Sequence, residues 1–228
     1  MHEGHRDRVK KRFRQEGLDH FSDIQALELL LFYGIPRVDT NPIAHALLDR
    51  FGSLSQVLEA SPEELMKVPG VGENAALLLT LIPQMGRFYM VDRSSRVTIL
   101  QTLEQCADFL VPHFFGRKVE TVFILCLDAK CKLLCCKELG EGGPNSTGVS
   151  IRKIVETAIG VNAATVVLAH NHPSGLAVPS AEDIQTTRRI AHALQAVEIT
   201  LADHIIVADG DYVSIAMSDG RFRDCLLI

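Results

Sequence analysis

No apolar run in the chain is long enough to cross a bilayer, and the start Met1-His2-Glu3-Gly4-His5-Arg6 lacks the character of a signal peptide. These absences argue against a membrane protein and for a cytoplasmic one. No Cys-x-x-Cys pair occurs among the six cysteines, Cys106, Cys126, Cys131, Cys135, Cys136 and Cys225. That removes the dithiol redox motif, and reduced, mostly buried thiols are expected. For Cys131, Cys135 and Cys136, strand packing is a better reading than a second metal site. Internal repeats and low-complexity tracts are absent too. Neither sign of charge dominates: the net charge of −5 does not advertise a nucleic-acid binder. The His-x-Glu and Pro-Cys-x-x-Cys pairs of zinc deaminases are missing. The letters His170-Asn171-His172 mimic the name of a nuclease motif, without its spaced histidines or its ββα context.

What is present suits a soluble globular chain. It has 228 residues, 47% apolar and 22% charged, enough for one large domain or two modest ones. Residues 3 to about 91 read as helical. Gly17 ends a basic first helix. Ser22 caps a helix from Ile24 to Phe32 that stops near Gly34, and Asn41-Pro42 opens one through Phe51. Ser53 precedes a short helix to Leu58, and Ser61-Pro62-Glu63-Glu64 starts another.

The turn Pro69-Gly70-Val71-Gly72 then joins two helices, an arrangement that resembles the helix-hairpin-helix motif. Its glycines let the backbone turn tightly, and the free N–H groups of the following helix can hold a DNA phosphate without reading sequence. Gly70, Val71 and Gly72 are thus candidate DNA-backbone contacts; a joint used for packing or protein partners is the alternative. Six cations between Arg6 and Arg14 against the single acid Asp7 form a local basic patch, equally well read as a solvated helix face.

The polar stretch Asp92–Arg96 marks a boundary between domains at 1–93 and 97–228. Beyond it the pattern predicts a strand over Val97–Leu100 and an amphipathic helix over Leu103–Phe115. Strands Val119–Leu127 and Lys130–Lys137 should pair across Asp128-Ala129, and the glycine-rich loop Gly140–Pro144 leads to a third strand over Ser146–Ser150. A helix over Ile151–Ile159, a buried strand over Ala164–Ala169, a helix from Ala181 to Leu194, and strands Val197–Val207 and Tyr212–Ile215 complete the chain. The alternation implies an α/β sandwich with a mixed sheet.

The chemistry concentrates in residues 170–183. His170 and His172 stand two apart at a strand end, which turns both imidazoles to one side. Ser180 falls at a helix N-cap with Asp183 three residues on. Two imidazoles, one carboxylate and a position left for water make the donor set of a catalytic zinc site. Each residue has a plainer alternative. The histidines can bond backbone, Ser180 can be a cap alone, and Asp183 can be a first-turn acid favoured by the helix dipole. His204 beside Asp203 fits a satisfied structural histidine better than a supporting role at a metal.

The full spacing, His-x-His, seven residues, Ser, two residues, Asp, resembles the JAMM signature of JAB/MPN-domain metallohydrolases. The longer string His170-Asn171-His172-Pro173-Ser174-Gly175, with Thr186 and Asp203-His204-Ile205-Ile206 downstream, is similar to the RadC family. That family's N-terminal helices are matched as well. The segment Leu176-Ala177-Val178-Pro179 departs from the acid and proline commoner there, and Lys153 stands where glutamate is frequent. The resemblance implies an all-helical N-terminal domain followed by a JAB/MPN, cytidine-deaminase-like α/β sandwich. It implies Zn²⁺ held by His170, His172 and Asp183, with Glu120 as general base and Ser180 hydrogen-bonding the oxyanion. The implied reaction is hydrolysis of a peptide or isopeptide bond in a peptide or protein substrate. The family's name implies DNA repair or recombination, with DNA met by the N-terminal domain; an accessory DNA-binding protein with an inactive metal site is the competing reading.

Overall fold

Serine caps organise the first third of the chain. The computed structural model describes residues 3–94, 99–142 and 149–218. Helix α1 (Glu3–Glu16) ends before Gly17, and α2 (Asp23–Gly34) begins in a reciprocal capping box between Ser22 and Gln25. α3 (Asn41–Phe51) carries Pro42 in its first turn, where the missing N–H costs nothing. Ser53 caps α4 (Leu54–Glu59) and Ser61 caps α5 (Pro62–Leu65). Leu27, Leu31, Leu47, Leu65, Ala76 and Leu79 are wholly or almost wholly buried in this core.

Helix α6 runs Glu73–Ser94, so Asp92, Arg93 and Ser94 of the expected boundary are helical. The chain divides into two compact units at Gly86/Arg87, inside that helix. The remainder of the boundary, the start of the expected strand Val97–Leu100, and residues 143–148 of the expected loop and third strand lie outside the described residues. Of the first of these strands, Ile99 forms a single bridge to Lys132.

The second unit is built on a five-stranded sheet ordered β2-β1-β3-β4-β5. Helix α7 spans Leu103–Leu110 and stops short of the expected Phe115, because Pro112 tightens residues 111–114 into a 3₁₀ turn. β1 (Thr121–Leu127) pairs antiparallel with β2 (Leu133–Glu141) and with β3 (Thr165–Asn171). β2 begins and ends later than expected, since its half-exposed run mixes apolar and charged residues without regular alternation. α8 is Ile151–Gly160 and α9 is Ala181–Gln195. β4 (Thr200–Ala208) lies parallel to β3, and β5 (Asp211–Ser214) returns antiparallel before the short α10 (Ile215–Ser218).

Alternation along the strands splits the core in two. Phe123, Leu125, Val167 and Ile205 pack against Phe109 and Leu110 of α7. Val122, Ile124, Val166, Leu168 and Ile206 pack against Ile154 of α8 and Ile190 and Leu194 of α9. His170 continues the second set by the two-residue period of β3, and so faces the side of the sheet covered by α8 and α9. No helix among the described residues is long and apolar enough to cross a membrane.

Candidate metal centre

The end of β3, the start of α9 and the approach to β1 meet at one point. His170 is the penultimate residue of β3 and wholly buried; His172 follows the strand. Their Nε2 atoms lie 3.0 Å apart. Asp183 brings Oδ1 to 3.3 Å from His170 Nε2 and Oδ2 to 3.6 Å from His172 Nε2. Glu120 brings Oε1 to 3.7 Å from His170 Nε2. One donor atom each from Glu120, His170 and His172 falls within 4.8 Å of the others, a spacing fit for a metal ion. No cysteine joins such a group among the described residues.

Local structure explains each placement. Glu120 lies just before β1 rather than on the strand expected from residue 119 onward. The Thr121 N–H donates to Asn171 Oδ1 at 2.8 Å, and Asn171 Nδ2 donates to the Val119 carbonyl at 3.2 Å. The main chain on both sides of Glu120 is thereby held against β3. Pro173-Ser174-Gly175 turns the chain away after His172, and Gly175 sits at φ +81, a conformation open to glycine.

Ser180 and Asp183 form a capping box. Ser180 Oγ accepts from the Asp183 N–H at 3.1 Å and donates to Asp183 Oδ2 at 2.6 Å, and the Ser180 N–H donates to the same oxygen at 2.8 Å. The cap is thus in place, with the hydroxyl proton given to Asp183. Burial pushes the Asp183 carboxyl up, and the hydrogen bonds that Oδ2 accepts from the Ser180 hydroxyl and amide oppose it by favouring the ionised form.

The donors fit a divalent cation. The Leu176 carbonyl, an obligate acceptor, lies 3.1 Å from His172 Nδ1, which must therefore carry the proton. A neutral His172 then turns a bare Nε2 lone pair inward, toward two carboxylates and a second imidazole. Ligands about 2.0–2.1 Å from a tetrahedral zinc stand about 3.3 Å from one another. The separations of 3.0, 3.3 and 3.6 Å among His170, His172 and Asp183 bracket that value. Glu120 is the more exposed carboxylate, its side chain 34% accessible against 9% for Asp183.

Sequence reasoning set His204 aside as structural and passed over Asn171 and Thr187. His204 is wholly buried, with Nε2 2.8 Å from His170 Nδ1 and Nδ1 2.6 Å from Thr187 Oγ1. Its neighbour Asp203 faces the other way, accepting from the His204 and Ala216 amides at 2.7 and 3.0 Å. The His-x-His spacing pointed to the strand end, but nothing local announces a partner on another strand.

In the first unit, Gly70 takes φ +89 over Ile43, whose Cδ1 lies 2.8 Å from where a Cβ would stand. Val71 is buried in the core, and Gly72 borders open space. The basic patch is partly used internally. Arg6 donates to the Ile35 and Val38 carbonyls, and Arg12 donates to Glu16, Gln25 and the His20 carbonyl.

Comparison with known proteins agrees with this architecture. The chain matches a UPF0758 N-terminal region over residues 3–77. It is 33% identical over 219 residues to UPF0758 protein FN0909 of Fusobacterium nucleatum, covering 93% of this chain and 94% of that one. It is also 33% identical over 210 residues to UPF0758 protein Bxeno_A3578 of Paraburkholderia xenovorans, covering 92% and 83%. Residues 100–220, which carry the sheet and every residue of the centre, match the RadC-like JAB domain, and the chain belongs to that family.

Proposed function

We propose that this chain is a zinc-dependent hydrolase that cleaves a peptide or isopeptide bond. The observation that carries the reading is the convergence of two imidazole nitrogens and two carboxylates at 3.0–3.7 Å. His170, His172 and Asp183 hold the ion; His170 and Asp183 are buried and His172 is partly so. When bound, zinc supplies the Lewis acidity that makes a water nucleophilic near neutral pH.

Glu120 is the half-exposed member, with its main chain held on both sides by Asn171. It takes the proton of the attacking water and returns it to the leaving amine. Ser180 orients Asp183 through its hydroxyl and its amide. For it also to stabilise an oxyanion, its proton must turn from Asp183 to the substrate, a contact typically worth about 3 kcal/mol.

Metal analysis of the purified chain, coupled to a peptide-library cleavage screen, tests the reading. Wild type should carry one zinc per chain and His172→Ala none. Glu120→Gln should keep the metal and lose cleavage. Stoichiometric zinc on His172→Ala, or undiminished cleavage by Glu120→Gln, would sink the assignment.

A further inference from the structure

For His170 to serve a metal through Nε2, its single neutral-state proton must sit on Nδ1. The contact at Nδ1 does not decide this alone. His204 Nε2, 2.8 Å away, can donate or accept. The same ambiguity passes through the His204 ring to Nδ1, 2.6 Å from Thr187 Oγ1.

It ends at Thr187. That hydroxyl has one proton and lies 2.6 Å from the main-chain carbonyl of Asp183, which can only accept. Every donor upstream is then fixed. Thr187 gives its proton to the Asp183 carbonyl, so its oxygen accepts from His204 Nδ1–H. A neutral His204 keeps a bare Nε2, which accepts from His170 Nδ1–H. In a neutral His170 this leaves Nε2 as the lone pair, directed at His172 and the two carboxylates. Thr187, His204 and His170 are all fully buried, and His204 has no carboxylate on either ring nitrogen, which keeps it neutral.

We propose that Thr187 and His204 are positioning residues that lock His170 in its Nδ1–H tautomer, with the lock anchored on the backbone of Asp183. The proposal rests on the reading of His170 as a metal ligand, and it adds the residues that set its proton. It also ties two of the ligands together, since a shift of the first turn of α9 moves the Asp183 carboxylate and the anchoring carbonyl at once.

The test uses the full chain, ¹⁵N-labelled at histidine and stripped of metal. Long-range ¹H–¹⁵N spectra should show His170 and His204 protonated at Nδ1, the two assigned by substituting each with glutamine. Thr187→Val, which keeps the shape and loses the hydroxyl, should populate the other His170 tautomer. It should weaken Zn²⁺ binding in competition with a chromophoric chelator by about 10- to 100-fold. Thr187→Ser should restore both. A wild-type His170 with no proton on Nδ1 would overturn the proposal, as would a Thr187→Val variant with unchanged tautomer and zinc affinity. If Thr187→Val does not fold, the wild-type spectrum decides alone. A wild type that has the Nδ1–H tautomer but no affinity for zinc would end the hydrolase reading and leave the relay standing.

Discussion

Asn171 clasps the chain on both sides of Glu120, accepting from the Thr121 amide and donating to the Val119 carbonyl. The residue between the two histidines thus fixes where the carboxylate across from them begins. Both halves of its carboxamide are used, one as acceptor and one as donor.

Asn171→Asp keeps the acceptor and sets an oxygen against the Val119 carbonyl. We expect bound zinc to stay stoichiometric while cleavage falls about a hundredfold, the scale of a small misplacement of a catalytic group. Metal content and turnover measured on the same preparation check it. Unchanged turnover, or loss of metal together with turnover, would count against the clasp.

Gly175 joins the histidine loop to the turn after β4. A Cβ there would stand 2.8 Å from Asp209 Oδ2, and the backbone is at φ +81. Gly175→Ala should lower the free energy of unfolding by about 1–2 kcal/mol from the backbone alone, with the clash added. In an Asp209→Gly background the clash is gone, so the same substitution should cost less. Urea unfolding of the four proteins gives the coupling, and equal costs in both backgrounds would refute the contact.

Asp203 predicts a pH dependence. Burial raises its pKa above the ordinary value, against the opposing hydrogen bonds that Oδ1 accepts from the Ala216 and His204 amides, and Oδ2 is buried without a partner. A raised pKa means that the folded chain holds this proton more tightly than the unfolded one. Its stabilising contribution is complete below the ordinary carboxylate pKa and is lost as pH rises through the raised value. Asp203→Asn keeps an acceptor for both amides and removes the titration. Its stability relative to wild type should therefore climb as pH rises through that window. A urea midpoint difference that stays flat with pH would refute the assignment.

The parts of the fold written in neighbouring residues were legible. Ser22, Ser53, Ser61 and Ser180 announce their helices because a cap acts within three residues. His170 and His172 share a side because a strand repeats every two residues. Elements set by tertiary contact were less so. Val197–Ile199 reads as strand by composition, yet β4 starts at Thr200, where pairing with β3 begins. The bond from His204 to His170 spans 34 residues and leaves no mark in local spacing. Asn171 was hidden because strand position alone does not reveal a side chain bonded to the main chain 50 and 52 residues away.

The capping box at Ser180 has a consequence for assembly. The oxygen that receives the Ser180 amide and hydroxyl belongs to the same carboxylate that approaches both imidazoles. Winding the first turn of α9 and gathering the inward-facing acceptors are therefore a single event. The chain cannot fray that turn and keep the cluster, nor complete the cluster before the helix has begun.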